Sequence, residues 1–414
     1  MTDSALKPLE RRWLAALVLA SFAVRALYCW KFPQWGPGRT IPDLDMYETI
    51  AESLLRHGTI LDPAGHLTAA REPGYPLLLA GLYWLTGPSY PASQALNCVF
   101  GALTVLLIFL LGRSVFGRRT GWLAAGIAAF YPQFIYYTSS ALRETAQTFL
   151  MALSAWLILR AARAPALRTW AAAGVSSACF ALGASALLPV GAALGAAIWL
   201  QGRRLGRDHR RGAAVYLGIF FFLYGLWPLR NELVFGRFIP GISGGGAHMY
   251  FGIIVPNDAA GTPAEGKILE ADPVNLEAVK APELERDGIF YRGAARFVRE
   301  HPRQYVRAIL GSLYKLWRLV PYARNYDFNY RLIKWVGLLS DGWIIPLGFL
   351  GMFLAGRRFP EADVFLTVLF SISLTYTFFW AIIRYRLPMM PFVIIYCSYA
   401  LSRLIDKTEN MPYP

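Results

Sequence analysis

An all-α, polytopic membrane protein is the fold class that this sequence predicts, on three observations. Hydrophobic residues make up 56% of the chain and charged residues only 16%, where a soluble chain carries nearer ~25% charged residues. Runs of about 20 apolar residues recur, the length that crosses a hydrocarbon core. The lysines and arginines gather in the short gaps between those runs, which is the topology signal of a membrane protein.

The apolar runs fall at about 12–30, 92–112, 120–138, 144–162, 168–185, 186–202, 212–229, 332–356, 361–382 and 387–404. The first lacks a cleavage site and reads as a retained span. Arg113, Arg118 and Arg119 share one gap, and Arg160, Arg163 and Arg168 another. Arg203, Arg204, Arg207, Arg210 and Arg211 fill a third, and Arg357 and Arg358 a fourth. Threaded through these spans, all four gaps lie on the same side as Lys7, Arg11 and Arg12, which makes that side the cytoplasm and puts both termini inside. The segment "PGYPLLLAGLYWLTG", 73–87, is apolar but short and bounded by Pro and Gly. Counted as a span it would invert every later loop, so it is expected to be a re-entrant or interfacial helix on the outer side. Roughly 10–12 transmembrane helices result, in three parts: an N-terminal membrane module 1–230 containing a first outer loop 31–91, an outer region 231–331 with short helices, and C-terminal membrane helices 332–414.

Within the outer region, "PNDAAGTPAEGKILEADPVNLEAVKAPELERDG" reads as a loop with short helices. The following "FVREHPRQYVRAILGSLYKLWRLVPY" alternates basic and apolar residues at helical spacing, as a helix lying along a membrane surface does. There is no internal repeat of the kind that builds inverted-repeat transporters. The net charge of +15 sits in the gaps between spans, so it argues for membrane topology and against nucleic acid. Cys29, Cys98, Cys179 and Cys397 lie in or beside apolar runs and read as small core residues, with no CxxC pattern.

Polar residues at the outer ends of the spans are the candidate site. They are Asp43 and Asp45; Arg71 and Glu72; Arg143 and Glu144; Arg230 and Asn231; and Arg384 and Arg386. Five separate regions supply them, and ionisable groups at membrane depth are functional candidates by default, although a single arginine at a span end is commonly a snorkelling anchor. Arginines in an apolar setting hold phosphate or diphosphate through forked hydrogen bonds, and a nearby carboxylate can take a proton from an incoming hydroxyl or amine. The combination suits attack of an acceptor on a sugar carried by a lipid phosphate.

In "IPDLDMYETIAESLLRHG", 41–58, Pro42 can start a helix, which would set Asp43 and Tyr47 four apart on one face and turn Asp45 about 200° away. Asp43 could equally be a helix cap. Glu48 and Glu52, with Arg56, read as a solvated face. His57, Asp62 and His66 match no zinc spacing, and no metal site is expected. "GISGGGAHMYFG", 241–252, lacks the P-loop lysine, but its glycines would let a sugar or phosphate approach backbone amides.

The stretches "DLDMYETIAESLLRHG" and "REPGYPLLLAGLYWLTGPSY" resemble the first outer loop of GT-C glycosyltransferases, in the bacterial branch near protein O-mannosyltransferases and the lipid A aminoarabinose transferase. "FGRRTGWLAAGIAAFYPQFIYYTSSALRE", "WPLRNELVFGRFIP" and "RYRLPMMPF" are similar to the same group, so the resemblance runs from about residue 12 to 405. It implies a polyprenyl-phosphate sugar donor, transfer on the outer face of the membrane, and a first-loop Asp as base followed four residues later by Tyr, a pattern that falls on Asp43 and Tyr47. It also matches Glu72 to an acidic loop position, Glu144 to a second, and Arg384 and Arg386 to basic residues that contact phosphate. The sequence departs from the family where Leu44 separates Asp43 from Asp45, which leaves the base open between them, and where "LGASALLPVGAAL" carries no arginine. Some members carry a large soluble C-terminal domain; without one, acceptor recognition is expected from 231–331.

The leading expectation is an inverting transferase of the bacterial inner membrane. Asp43 would deprotonate a glycan, lipid or protein acceptor, and Arg384 and Arg386 would hold the donor phosphate. Arg71, Arg143 and Arg230 would assist, while Glu72 and Glu144 fix the arginines or touch the sugar. A divalent cation (Mg or Mn) is permitted by paired Asp43 and Asp45 but not demanded. An oligosaccharide polymerase or ligase would be expected to rely on arginines and a His, and a transporter on mid-membrane charge and internal symmetry.

Overall fold

In the computed structural model the described residues are 6–32, 45–204, 206–256, 259, 262–320 and 329–409. Asp43 lies outside them. The helices are α1 (Pro8–Lys31), α2 (Tyr47–His57), α3 (Gly74–Thr86), α4 (Tyr90–Phe116), α5 (Arg118–Ala129), α6 (Pro132–Tyr136), α7 (Glu144–Arg163), α8 (Leu167–Gly183) and α9 (Leu188–Arg204). They continue with α10 (Arg210–Phe235), α11 (Gly245–Ile254), α12 (Pro263–Ala271), α13 (Pro273–Lys280), α14 (Glu283–Glu300), α15 (Pro302–Trp317), α16 (Tyr330–Ala355), α17 (Asp363–Thr377) and α18 (Met390–Glu409). No strand occurs among the described residues. Seven helices are long and apolar enough to cross a membrane, starting at Pro8, Tyr90, Glu144, Ser185, Arg210, Tyr330 and Ile383. This is a multi-pass, all-α membrane protein.

The passes can be read from which ends meet. At one end Glu10 pairs with Arg118 at 2.6 Å, Arg163 with Glu361 at 3.8 Å, and Arg204 with Asp363. Arg207 donates to the Ala162 carbonyl, and Thr120 meets Ser402. At the other end Gln94 and Asn97 donate to the carbonyls of Ser139 and Ser140, Glu72 pairs with Arg143, and Arg384 with Asp45. Helices α1, α4, α5 with α6, α7, α8, α9, α10, α16, α17 and α18 run between the two ends, so the ten apolar runs coincide with ten helical stretches, seven of which are long and apolar enough to cross a membrane. The other three are short: α5, α8 and α17 have 12, 17 and 15 residues. Helix α3 behaves differently. Tyr75 meets Asn97 and Tyr83 meets Ser93, so both its ends lie against the first turns of α4, and it does not cross.

Close packing rests on small residues, as expected where lipid removes any hydrophobic drive between helices. Gly351 of α16 abuts α18 so tightly that a Cβ there would lie 1.9 Å from the Tyr396 carbonyl oxygen. Arg25, inside the first span, is fully buried and donates to the carbonyls of Ala128 and Ala129, the last two of α5; it satisfies groups that a helix end leaves unpaired.

The segment between α10 and α16 folds on its own apolar cluster of Tyr250, Ala278, Ile289, Phe290 and Ala294. In α15 the exposed Val306, Leu310, Leu313 and Tyr314 form a stripe at helical spacing, suited to resting on lipid.

Gly351→Ala is expected to lower the thermal stability of the purified protein by about 1–3 kcal/mol, the usual effect of overpacking. Gly225→Ala, where a Cβ meets nothing within 4 Å, should leave the unfolding temperature unchanged or raised. Equal melting of the two variants would contradict the α16–α18 contact.

Candidate active site

Helix α2 begins at Tyr47, and Pro42, where a helix start was expected, lies outside the described residues. Met46 stands before it in the left-handed region, with φ 57°, the only non-glycine residue among those described to do so. That conformation is uncommon for a long side chain. It ends the helix abruptly and leaves Asp45 in a turn, free of the helical register. The helix then packs by Ile50 and Ala51, both fully buried, and by Tyr47, whose ring meets Tyr75 edge-on at 5.3 Å. Glu52 and Arg56 do form an exposed pair at 3.4 Å. Glu48 does not share that solvated face: it is buried and accepts from the Tyr83 hydroxyl at 3.2 Å.

Asp45 is bracketed by two arginines. One carboxylate oxygen lies 3.2 Å from Arg384 and the other 3.9 Å from Arg71, which also donates through Nε to the Asp45 carbonyl at 3.1 Å. Burial alone would push the Asp45 carboxyl up, but Arg384, Arg71 and Arg143 outweigh it and hold the group below its usual value. Arg384 continues inward to Glu144, Nε to Oε1 at 3.3 Å. The other Glu144 oxygen, buried, has no partner.

Deeper still, Glu72 and Arg143 are paired at 2.8 Å. Arg143 also donates to the Gly183 carbonyl at the end of α8, and Glu72 accepts from both the amide and the hydroxyl of Ser185. One ion pair thereby ties the starts of α3, α7 and α9 to the end of α8. Burial pushes the Glu72 carboxyl up, but Arg143 and Ser185 outweigh it and keep it below the usual range, and with both oxygens engaged Glu72 has little capacity to act as a base. Exposure falls along the same path. Asp45, Arg71 and Arg384 keep 21%, 25% and 23% of their side-chain surface open, against 3% for Glu144 and 5% for Glu72.

The structure therefore gathers Asp45, Tyr47, Arg71, Glu72, Arg143, Glu144 and Arg384, from four of the five expected regions. Arg230, Asn231 and Arg386 lie apart from this group. Arg230 donates to the Thr68 carbonyl and stacks on Trp227 and Phe235, and Asn231 donates to the Ile239 carbonyl; both hold the turn after α10. Arg386 is fully buried, paired with Asp341 of α16, and donates to the carbonyls of Leu316 and Arg318. Asp341 also accepts from Tyr131 and Gln133. Arg384 and Arg386 share one 3-10 turn, Ile383–Met389, with one arginine facing the site and the other clamped in the bundle.

His248 of α11 was missed. Burial and the charges of Arg71, Arg143 and Arg384 pull its imidazole down to about 4, against an opposing pull from Glu72, so it sits in the same field as a neutral ring at pH 7. The glycine-rich run around it was visible, but nothing in the sequence tied it to the arginines. Among the described residues no three His, Cys, Asp or Glu side chains gather as a metal site; Asp43, which was expected to pair with Asp45 if a cation is held, lies outside them.

Residues 70–228 match the model of the dolichyl-phosphate-mannose-protein mannosyltransferase family. No sequence among the curated proteins matches. The oligosaccharyltransferase of Archaeoglobus fulgidus, in complex with Zn and sulfate, superposes with a TM-score of 0.60 at 15% identity, covering 96% of this chain and 49% of the other. The same archaeal enzyme with an inhibitory peptide and a dolichol-phosphate gives 0.56 at 14% identity, over 97% and 51%. ArnT from Cupriavidus metallidurans, bound to undecaprenyl phosphate, gives 0.45 at 15% identity, over 96% and 79%. The chain spans about half the length of the archaeal structures.

Replacing Arg386 by Met leaves Asp341 buried without its cation and should cost about 3–5 kcal/mol of stability. The double variant Asp341→Leu/Arg386→Met should recover part of that loss in thermal unfolding, since neither charge then remains. Over residues 70–228 the chain is similar to the dolichyl-phosphate-mannose-protein mannosyltransferase family, and its architecture is similar to that of the archaeal oligosaccharyltransferase.

Proposed function

We propose that this protein is an inverting glycosyltransferase that moves a sugar from a polyprenyl-phosphate donor to a glycan, lipid or protein acceptor at the outer face of the bacterial inner membrane. The observation that carries this reading is the partly open Asp45, Arg71 and Arg384 group backed by buried Glu144. Two guanidiniums at the mouth of a bundle are a seat for a phosphate whose lipid tail stays in the membrane. The archaeal enzyme of the same fold binds a dolichol-phosphate, which supports a donor of this class. The opposite end carries Arg118, Arg163, Arg204 and Arg207, and the positive-inside rule assigns that end, with both termini, to the cytoplasm.

Asp43, the match to the family's base, takes the proton from the acceptor hydroxyl or amine as that atom attacks the anomeric carbon. The bond from that carbon to the phosphate oxygen breaks, and Arg71 and Arg384 meet the charge that grows on the leaving phosphate. Glu144, with one buried oxygen unpartnered, is placed to accept from a sugar hydroxyl. Arg143 and Glu72 hold the floor of the site, and the neutral ring of His248 adds a hydrogen-bonding group without adding charge. Phosphate charge is met here by arginine, so no metal step is invoked.

Purified protein in lipid, given a panel of radiolabelled polyprenyl-phosphate sugars and acceptors, is expected to release polyprenyl phosphate only when acceptor is present. Asp43→Asn should lower kcat by roughly 10²- to 10⁴-fold, the usual worth of a general base. Arg384→Ala should raise the donor KM and lower kcat together. Turnover with polyprenyl-diphosphate donors alone would replace the proposed donor class.

A further inference from the structure

Among the described residues the site is charge-balanced before any donor arrives. Arg71, Arg143 and Arg384 face Asp45, Glu72 and Glu144, and His248 adds no charge at neutral pH. Glu72 and Glu144 are buried in the floor, whereas Asp45 lies at the mouth, one oxygen toward each of the two most accessible arginines. Its carboxylate spans the position from which two guanidiniums would otherwise grip an anion from outside.

We propose that Asp45 is a built-in stand-in for the donor phosphate, and that donor binding is an anion exchange in which the phosphate displaces the Asp45 carboxylate from Arg71 and Arg384. This rests on the phosphate-donor reading above. Three features make the exchange feasible. The two anions compete for the same forked donors, and the phosphodiester of the donor, with one charge and two free oxygens, matches the carboxylate it replaces while its lipid tail and sugar add contacts of their own. Both cannot remain, because two like charges in a partly dry site repel. Asp45 also stands outside helix α2, behind left-handed Met46, so its side chain can swing to water without unwinding a turn.

Before the donor arrives, Asp45 keeps two arginines from repelling each other and from drawing in other anions. Afterwards it is a released carboxylate beside the reacting centre, and on departure of the product it returns to the arginines and helps to expel polyprenyl phosphate. Its role is to position the arginines and limit product retention, which leaves proton removal to Asp43.

The test measures binding in nanodiscs of zwitterionic lipid, with polyprenyl phosphate in one arm and a short-chain phosphatidic acid in the other. Asp45→Asn is expected to bind polyprenyl phosphate roughly five-fold or more tightly than the parent, the worth of removing one unit charge about 4 Å from another even when water screens the pair fully. Its turnover should become limited by product inhibition, with a lowered donor KM, while Asp45→Glu, which keeps the charge, should show no tightening. Equal or weaker binding by Asp45→Asn, with circular dichroism and melting unchanged, overturns the exchange. If the parent prefers phosphatidic acid to polyprenyl phosphate, the donor reading fails. The exchange is then still decided by whether Asp45→Asn tightens the phosphatidic acid arm.

Discussion

The fold and the site both depend on compensating buried guanidinium charge. Taking an arginine and a carboxylate out of water costs several kcal/mol for each ion, and that cost is offset only where geometry lets the two meet with their remaining hydrogen bonds filled. Glu72 and Arg143 satisfy this condition, using Ser185 and the Gly183 carbonyl to occupy what the pair leaves over. Because those partners come from α3, α7, α8 and the start of α9, the pair sets how four elements converge. The more exposed arginines are then held at defined positions above it. Asp341 and Arg386 do the same between α16 and the turn before α18.

Much of the architecture was legible because a membrane makes two demands that a sequence cannot hide. Every pass needs a long apolar run, and the ten runs each fold as helix, seven of them long and apolar enough to cross, while 120–138 divides into α5 and α6 and 361–382 settles as the 15 residues of α17. The unequal placement of arginine separated one end of the bundle from the other, and the same reasoning set α3 aside as a helix that does not cross.

The site was less legible, for reasons of local geometry. Helical spacing from Pro42 would make Asp43 and Tyr47 neighbours, but both Pro42 and Asp43 lie outside the described residues, and the left-handed Met46 that precedes α2 left no signal in the sequence. Arg384 and Arg386 looked equivalent because both belong to "RYRLP"; which of them faces the site depends on Asp341, 45 residues away. An aspartate inside an apolar span was itself a signal that could have separated them, as Arg25 in the first span was a signal for helix capping. Glu48 gave none, since its burial follows from Tyr83 on another helix.

The turn that carries Arg384 and Arg386 has a further consequence. Arg386 is gripped on several sides, by Asp341 and by the carbonyls of Leu316 and Arg318, so the residue two positions earlier is presented from a nearly immobile mount. A cation held in that way responds little when charge develops opposite it. Its orientation was settled when the chain folded, and the reorganisation that water would have to undergo during reaction has already taken place. That mount also includes the last turn of α15, so Arg384 is positioned in part by the segment between α10 and α16.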